Sequence, residues 1–208
     1  MEIKIIKVYS YNESWYNSMK KIIHLLLVCA LGFLFVGCAD NTSSSTDSNA
    51  KEDKPSEEFL DLLESFGMED VDVKIQGEKN IIFAKKSNDI TLEVLVFAGI
   101  GDIVDSYSDY IFVNVDGMTD TQKKSVEDTL DSIMQMYTDL SYCASEITDY
   151  SDTVKLLSLR FSNIDDEDKI QELMQLGALQ LKEDSKTDSK ISLQTSEKSL
   201  VDSGYIER

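Results

Sequence analysis

The chain is short of the side chains that carry most enzyme and metal chemistry. Its 208 residues include one histidine, one tryptophan, one proline and three cysteines. The histidine is His24 and the tryptophan Trp15, so everything beyond position 24 lacks both. Histidine is the commonest general base and metal ligand. Without it, no Ser-His or Cys-His pair and no histidine-metal centre can be assembled there. Cys29 and Cys38 lie in and at the end of an apolar run near the N-terminus, which leaves Cys143 by itself. One cysteine draws no disulfide framework. Positive charge is scarce too: 20 Lys and Arg stand against 39 Asp and Glu, a net charge of −19. That balance repels nucleic acid, whose binding rests on cations neutralising phosphates, and it repels an anionic membrane surface. It favours solubility and carries no information about fold.

What the chain does have begins with Met19-Lys20-Lys21, followed by an almost uncharged run from Ile22 to Gly37 and then Cys38. A positive n-region, a short apolar h-region and small residues at a cleavage point describe a secretory signal peptide over residues 19–37. A spanning helix is the alternative, but it needs about 20 apolar residues, and this run is shorter. Ala39, Asp40 and a serine-rich tract follow, with no positive stop-transfer cluster. Residues 1–18 carry Glu2 and Glu13, which work against the positive-inside pattern. They read as an over-extended N-terminus with Met19 as the true start; a longer N-terminal extension is the alternative. Four basic and two acidic residues precede Cys38, leaving 16 against 37 from there on, a net of −21.

The stretch Leu34-Phe35-Val36-Gly37-Cys38 resembles the lipobox of bacterial lipoproteins. Val36, Gly37 and Cys38 fit that pattern, while Phe35 stands where Leu is more usual. The resemblance implies cleavage between Gly37 and Cys38 and a diacylglyceryl thioether on the Cys38 thiol. It also implies a freed amine open to further acylation, and a chain anchored by lipid at the extracytoplasmic face of the cell membrane. Two acyl chains anchor stably where one is marginal, at about 0.8 kcal/mol per buried CH₂.

Beyond Cys38, residues 39–56 contain no large apolar side chain and read as a disordered tether. Such a tether spans roughly 25 Å on average. Residues 57–208 are the right size for one globular domain. Ser56 can cap a short helix through Phe59, Leu60, Leu62, Leu63 and Phe66 that stops at Gly67. Strands are expected over 80–86 and 90–98, the second continuously apolar from Val94 and therefore central, and over 103–115. Thr119-Asp120-Thr121-Gln122 has the form of a capping box. It opens the clearest helix, with Val126, Leu130, Ile133, Met134, Tyr137 and Leu140 at spacings of three and four. A hairpin over 143–150 and 153–162, a short helix from Asp165 to Gly177, a polar loop over 182–190 and a last helix over 193–203 complete the chain. Ser192 or Thr195 caps that last helix. Strands and helices in blocks indicate α+β. The expected architecture is an antiparallel sheet of about five strands, with the long amphipathic helix packed on one face and two or three shorter helices.

Four stretches together resemble the YehR-like family of small bacterial lipoproteins, a family with no assigned function. ITLEVLVFAGIGDIV is similar to its apolar strand and Gly-Asp-x-Val turn, here Gly101-Asp102-Ile103-Val104. SIMQMYTDL, with Tyr137 and Leu140, sits where that family has a helix ending in Tyr and a following apolar residue. TVKLLSLRFSNIDDEDKIQELMQLG resembles its last long strand and short helix. ISLQTSEKSLVDSGYIE resembles its ending, here Ser192, Leu193, Leu200, Gly204 and Tyr205. The likeness covers most of residues 78–207 and the lipobox. This chain departs from the pattern in its acidity and in Cys143, which stands where an apolar residue is usual. The resemblance implies no catalytic residues.

The remaining candidate sites have ordinary readings. Cys143 borders an expected strand and reads as a buried, inert thiol, since a reactive one needs a cationic neighbour. Gly99-Ile100-Gly101 lacks the third glycine of a phosphate loop and leads into a strand, so it reads as a turn. Asp165-Asp166-Glu167-Asp168 lacks the spacing and mid-loop glycine of a calcium loop, whereas acids at a helix start suit its dipole. Tyr107, Tyr110, Tyr142 and Tyr150 could make an aromatic platform for a sugar or peptide, but amphipathic strand tyrosines are commoner. Paired carboxylates remain available for acid–base work, although 37 acidic side chains make chance pairs expected. The reading is therefore a non-catalytic binding or interaction module of the cell envelope, with a ligand or protein partner there, no metal, no cofactor and no nucleic acid. An envelope hydrolase using paired carboxylates is the alternative.

Overall fold

Runs of β-branched and aromatic residues separated by Asn-Asp and Gly-Asp turns fold into three long neighbouring strands. The computed structural model describes residues 35–36, 54–69, 79–164, 166–181 and 190–208. Its elements in order are β1 (Phe35–Val36), α1 (Glu57–Glu64), β2 (Lys79–Asn88), β3 (Thr91–Ile100), β4 (Ile103–Asn114), α2 (Asp120–Tyr137), β5 (Cys143–Ser151), β6 (Val154–Phe161), α3 (Glu167–Gln175), β7 (Gln180–Leu181), β8 (Ile191–Ser192), α4 (Leu193–Asp202) and β9 (Ile206–Glu207). The main sheet is antiparallel, in the order β5-β6-β4-β3-β2-β9, with β8 added to the start of β4. The fold is α+β as expected, but the sheet has seven strands rather than about five. The two extra strands, β8 and β9, are two residues long and flank α4. Segments that short carry no periodicity; pairing to β4 and β2 alone makes them strands. Separately, β1 pairs in parallel with β7.

Strand alternation divides the core into two clusters. Phe83, Leu95, Phe97, Ile111 and Leu157 pack with Val126, Leu130 and Ile133 of α2, Ile170 and Leu173 of α3, and Leu193 and Leu200 of α4. Ile82, Ala84, Leu92, Val94, Val96 and Phe112 pack instead with Phe59 and Leu63 of α1. β3 lies between β2 and β4 with both faces covered, and its first nine residues are all buried. A strand wet on one face would alternate; this one is covered on both and reads as an apolar run.

Local chemistry explains the boundaries. Ser56 caps α1 by accepting from the Phe59 amide. Thr119 and Gln122 form a reciprocal capping box at α2: the Gln122 amide donates to Thr119 Oγ1, and the Thr119 amide donates to Gln122 Oε1 at 2.9 Å. α3 starts one residue after Asp166, whose Oδ1 accepts from the Lys169 amide; Asp165 lies outside the described residues. Gly99 marks a β-bulge. Ala98 pairs with Ser106 and Gly99 with Val104, so Asp105 has no partner across the ladder. A Cβ on Gly99 would stand 2.2 Å from the Ile103 carbonyl oxygen, which leaves room for glycine alone.

Candidate functional site

Lys85, Glu93 and Asp109 lie close together on the sheet face that receives α2, α3 and α4. Lys85 of β2 pairs directly with Glu93 of β3. Asp109 of β4 pairs with Leu95, which makes it the diagonal neighbour of Glu93. Glu93 is 2% exposed. Its Oε2 accepts a hydrogen bond from the Tyr205 hydroxyl at 2.7 Å. Lys85 Nζ donates to the Ser203 carbonyl at 2.8 Å and stands 5.1 Å from the centre of the Tyr205 ring. Asp109 is partly buried as a residue, yet its Oδ1 is shielded from solvent and has no hydrogen-bond partner among the described residues. Tyr107 and Ile111, both buried, flank it on its own strand.

Burial decides the charge state here. It pushes the Glu93 carboxyl up from its ordinary 4.5 to about 7, against the lowering pull of the Tyr205 hydroxyl and then of the Lys85 ammonium. Burial likewise raises Asp109 well above the carboxylate range, and the charge of Glu93 raises it further. The same low-dielectric surroundings, with Asp109 adding repulsion, lift the Tyr137 phenol to about 12. Lys85 thus stands beside Glu93, while the charge that acts on Asp109 is that of Glu93. A neutral carboxyl is far cheaper to bury than an unpaired anion, so at neutral pH the pair retains a proton.

The segment that roofs Glu93 is held at both ends of α4. Asp102, in the turn between β3 and β4, accepts from Ser192 Oγ through Oδ2 and from the Gln194 amide through Oδ1, both at 2.8 Å. Its carbonyl accepts from the Leu193 amide at 2.8 Å. Ser192 in turn caps the helix by accepting from the Thr195 amide. Lys85 meets the carbonyl of Ser203 at the other end. An acid at the N-terminus and a cation at the C-terminus both suit the helix dipole. Sequence reasoning reads Asp102 only as a turn residue. Its partners lie 90 and 92 positions away.

The residues singled out by sequence do not converge. Cys38 and Gly37 lie outside the described residues. Cys143 opens β5, half-buried, and burial pushes its thiol up to about 11, which suppresses the thiolate. Tyr107 is buried, its ring stacked 5.8 Å from Phe97 and 4.5 Å from Phe161. Tyr110 packs on the α1 side of the sheet. Tyr142 donates to Glu172 Oε2 at 2.7 Å, and Tyr150 stands edge-on to Phe112. Four tyrosines in four environments make no platform. Among the described residues, no three His, Cys, Asp or Glu side chains gather to hold a metal ion, and no helix is long and apolar enough to cross a membrane. Glu93 and Asp109 were unmarked in the sequence. The available signal was a lone acid inside otherwise uncharged runs, LEVLVFA and SDYIFV.

No family model matches the chain, and no curated protein matches it. Among solved structures, it is similar to the NMR structure of Escherichia coli YehR at 17% identity and a TM-score of 0.48, over 64% of this chain and 93% of that one. It is also similar to an NMR structure of a protein from Streptococcus pneumoniae TIGR4, at 15% identity and a TM-score of 0.43, over 83% of this chain and 100% of the other.

Proposed function

We propose that the chain is a YehR-like lipoprotein, anchored through Cys38 at the extracytoplasmic face of the membrane, that works in the cell envelope by binding rather than turnover. The observation that carries the anchoring is the run from Lys20 through the apolar h-region to Val36-Gly37-Cys38. Residues 39–53 then separate Cys38 from the first described residue ahead of α1. The YehR-like reading rests on four stretches that follow the family's order from the Gly101-Asp102 turn to Tyr205. Within this reading, α2 is the long amphipathic element on the sheet, supported by its buried stripe of Val126, Leu130, Ile133 and Tyr137. Cleavage after Gly37 removes β1, so β7 loses its parallel partner in the mature form.

Among the described residues, the state of the Glu93 and Asp109 carboxyls favours binding over hydrolysis. Glu93 is buried beneath Tyr205, and Asp109 Oδ1 is closed to solvent. A hydrolase needs one carboxyl beside a water and the other at the leaving group. Metabolic labelling with a fatty acid tests the anchor. Label in wild type and none in Cys38→Ser is expected, and equal label in both ends the lipoprotein reading. Turnover of an envelope glycan or peptide that disappears in Glu93→Gln would overturn the non-catalytic reading.

A further inference from the structure

The C-terminal segment is joined to the sheet by the pairing of β8 with β4 and β9 with β2, and by polar contacts from Asp102, Lys85 and Glu93. Asp102 is exposed and stays hydrated whether or not the segment is seated. The Glu93 contact differs in kind. The Tyr205 hydroxyl meets a carboxyl that is 2% exposed, beside a second carboxyl with a buried, unpartnered oxygen. The groups facing this pair are Lys85 from β2, Tyr107 from β4, Tyr137 from α2 and Tyr205 from the chain after α4. α4 turns Leu193, Ser196, Ser199 and Leu200 inward, none of which titrates. Among these groups one ammonium stands against two carboxyls, and full ionisation leaves an unbalanced buried negative charge. Water reaches that charge if the lid formed by Tyr205 and α4 lifts.

We propose that Glu93, with Asp109 as its charged neighbour on the sheet, forms a proton-operated latch, which seats the C-terminal segment on the sheet below neutral pH and loosens it as Glu93 ionises. Seating takes a proton from solvent onto the carboxylate; lifting returns it. The device goes beyond the anchoring and binding reading and does not depend on it. The direction follows from linkage. Glu93 has an ordinary value of 4.5 when hydrated and about 7 when buried. Its contribution to the seated state is fully present below 4.5 and is lost as pH rises through 7. For that one proton, the lifted-to-seated ratio rises about 40-fold between pH 5 and pH 7.

Hydrogen exchange on the full-length chain in detergent, corrected for the intrinsic pH dependence of amide exchange, reads the latch directly. The Leu193 amide donates to the Asp102 carbonyl and the Arg208 amide to the Ile82 carbonyl, so both bonds run from the segment to the sheet. Their protection is expected to fall about 40-fold from pH 5 to pH 7, while the β5–β6 amides stay constant. Glu93→Gln keeps an acceptor for Tyr205 and removes the proton, so its protection should be level across that range. A level wild-type profile, an equal loss in every element, or an unchanged slope in Glu93→Gln each overturns the latch. Should the variant fail to fold, carboxyl-carbon NMR of the wild type decides. A Glu93 midpoint above 6, moving with the Tyr205 ring signals, supports the latch, and one below 6 refutes it.

Discussion

Asp102 offers the sharpest test of how the C-terminal helix is held. Its two carboxylate oxygens accept from Ser192 Oγ and the Gln194 amide at 2.8 Å each, at the N-terminus of the ten-residue helix α4. Asp102→Ala removes both acceptors and the favourable charge at the positive end of the helix dipole. Loss of a capping side chain costs about 0.5–2 kcal/mol, and the dipole contribution of an exposed acid is about 0.3–1 kcal/mol. Ser192, 2% exposed, keeps its own bond from the Thr195 amide but loses the acceptor for its hydroxyl. The sum is about 1–3 kcal/mol, which in a domain of this size lowers Tm by roughly 2–4 °C per kcal/mol. Asp102→Asn retains one neutral acceptor and should fall about midway. Urea denaturation and calorimetry of the two variants give the numbers, and hydrogen exchange locates the loss at residues 193–205. An Asp102→Ala protein whose urea midpoint matches wild type would refute the cap, and with it the account of why the Gly-Asp turn lies against α4.

The other predictions concern packing and the thiol. Ile133→Ala empties a nearly buried site in the α2 stripe and should cost about 2–5 kcal/mol. Asp131→Ala, at an exposed position of the same helix, should stay within about 0.5 kcal/mol. A wild-type midpoint for Ile133→Ala would place α2 off the core. Gly99→Ala drives a methyl into the Ile103 carbonyl, a backbone atom that cannot rotate away, and should destabilise by about 1–3 kcal/mol or more. An unperturbed melt would mean that the bulge opens freely. Cys143, with its thiol raised from 9.0 to about 11, should react with iodoacetamide at neutral pH roughly 100-fold more slowly than an exposed cysteine. Labelling at the free-cysteine rate would show a thiol in contact with water.

Sequence by itself determined the parts of this protein that depend on neighbours along the chain. Ser56 and the Thr119–Gln122 box are helix starts because capping joins residues three apart. β3 is identified as central by its unbroken apolar run from Val94 to Ala98, since only a strand covered on both faces can do without alternation. The order of long strands and helices follows from such local patterns. Tertiary structure decided the rest, because the interactions concerned have no period and no fixed spacing. β8 and β9 exist only as partners of β4 and β2. Asp102 caps a helix 90 residues downstream, and the Tyr205 hydroxyl meets Glu93 across 112. Asp109 becomes the neighbour of Glu93 through the register of β3 against β4. The ionisation of that pair is a property of its burial: the same two acids in a solvated strand would titrate as ordinary carboxylates. A sequence records which residues carry charge, and only the packed fold determines which of those charges must give up contact with water.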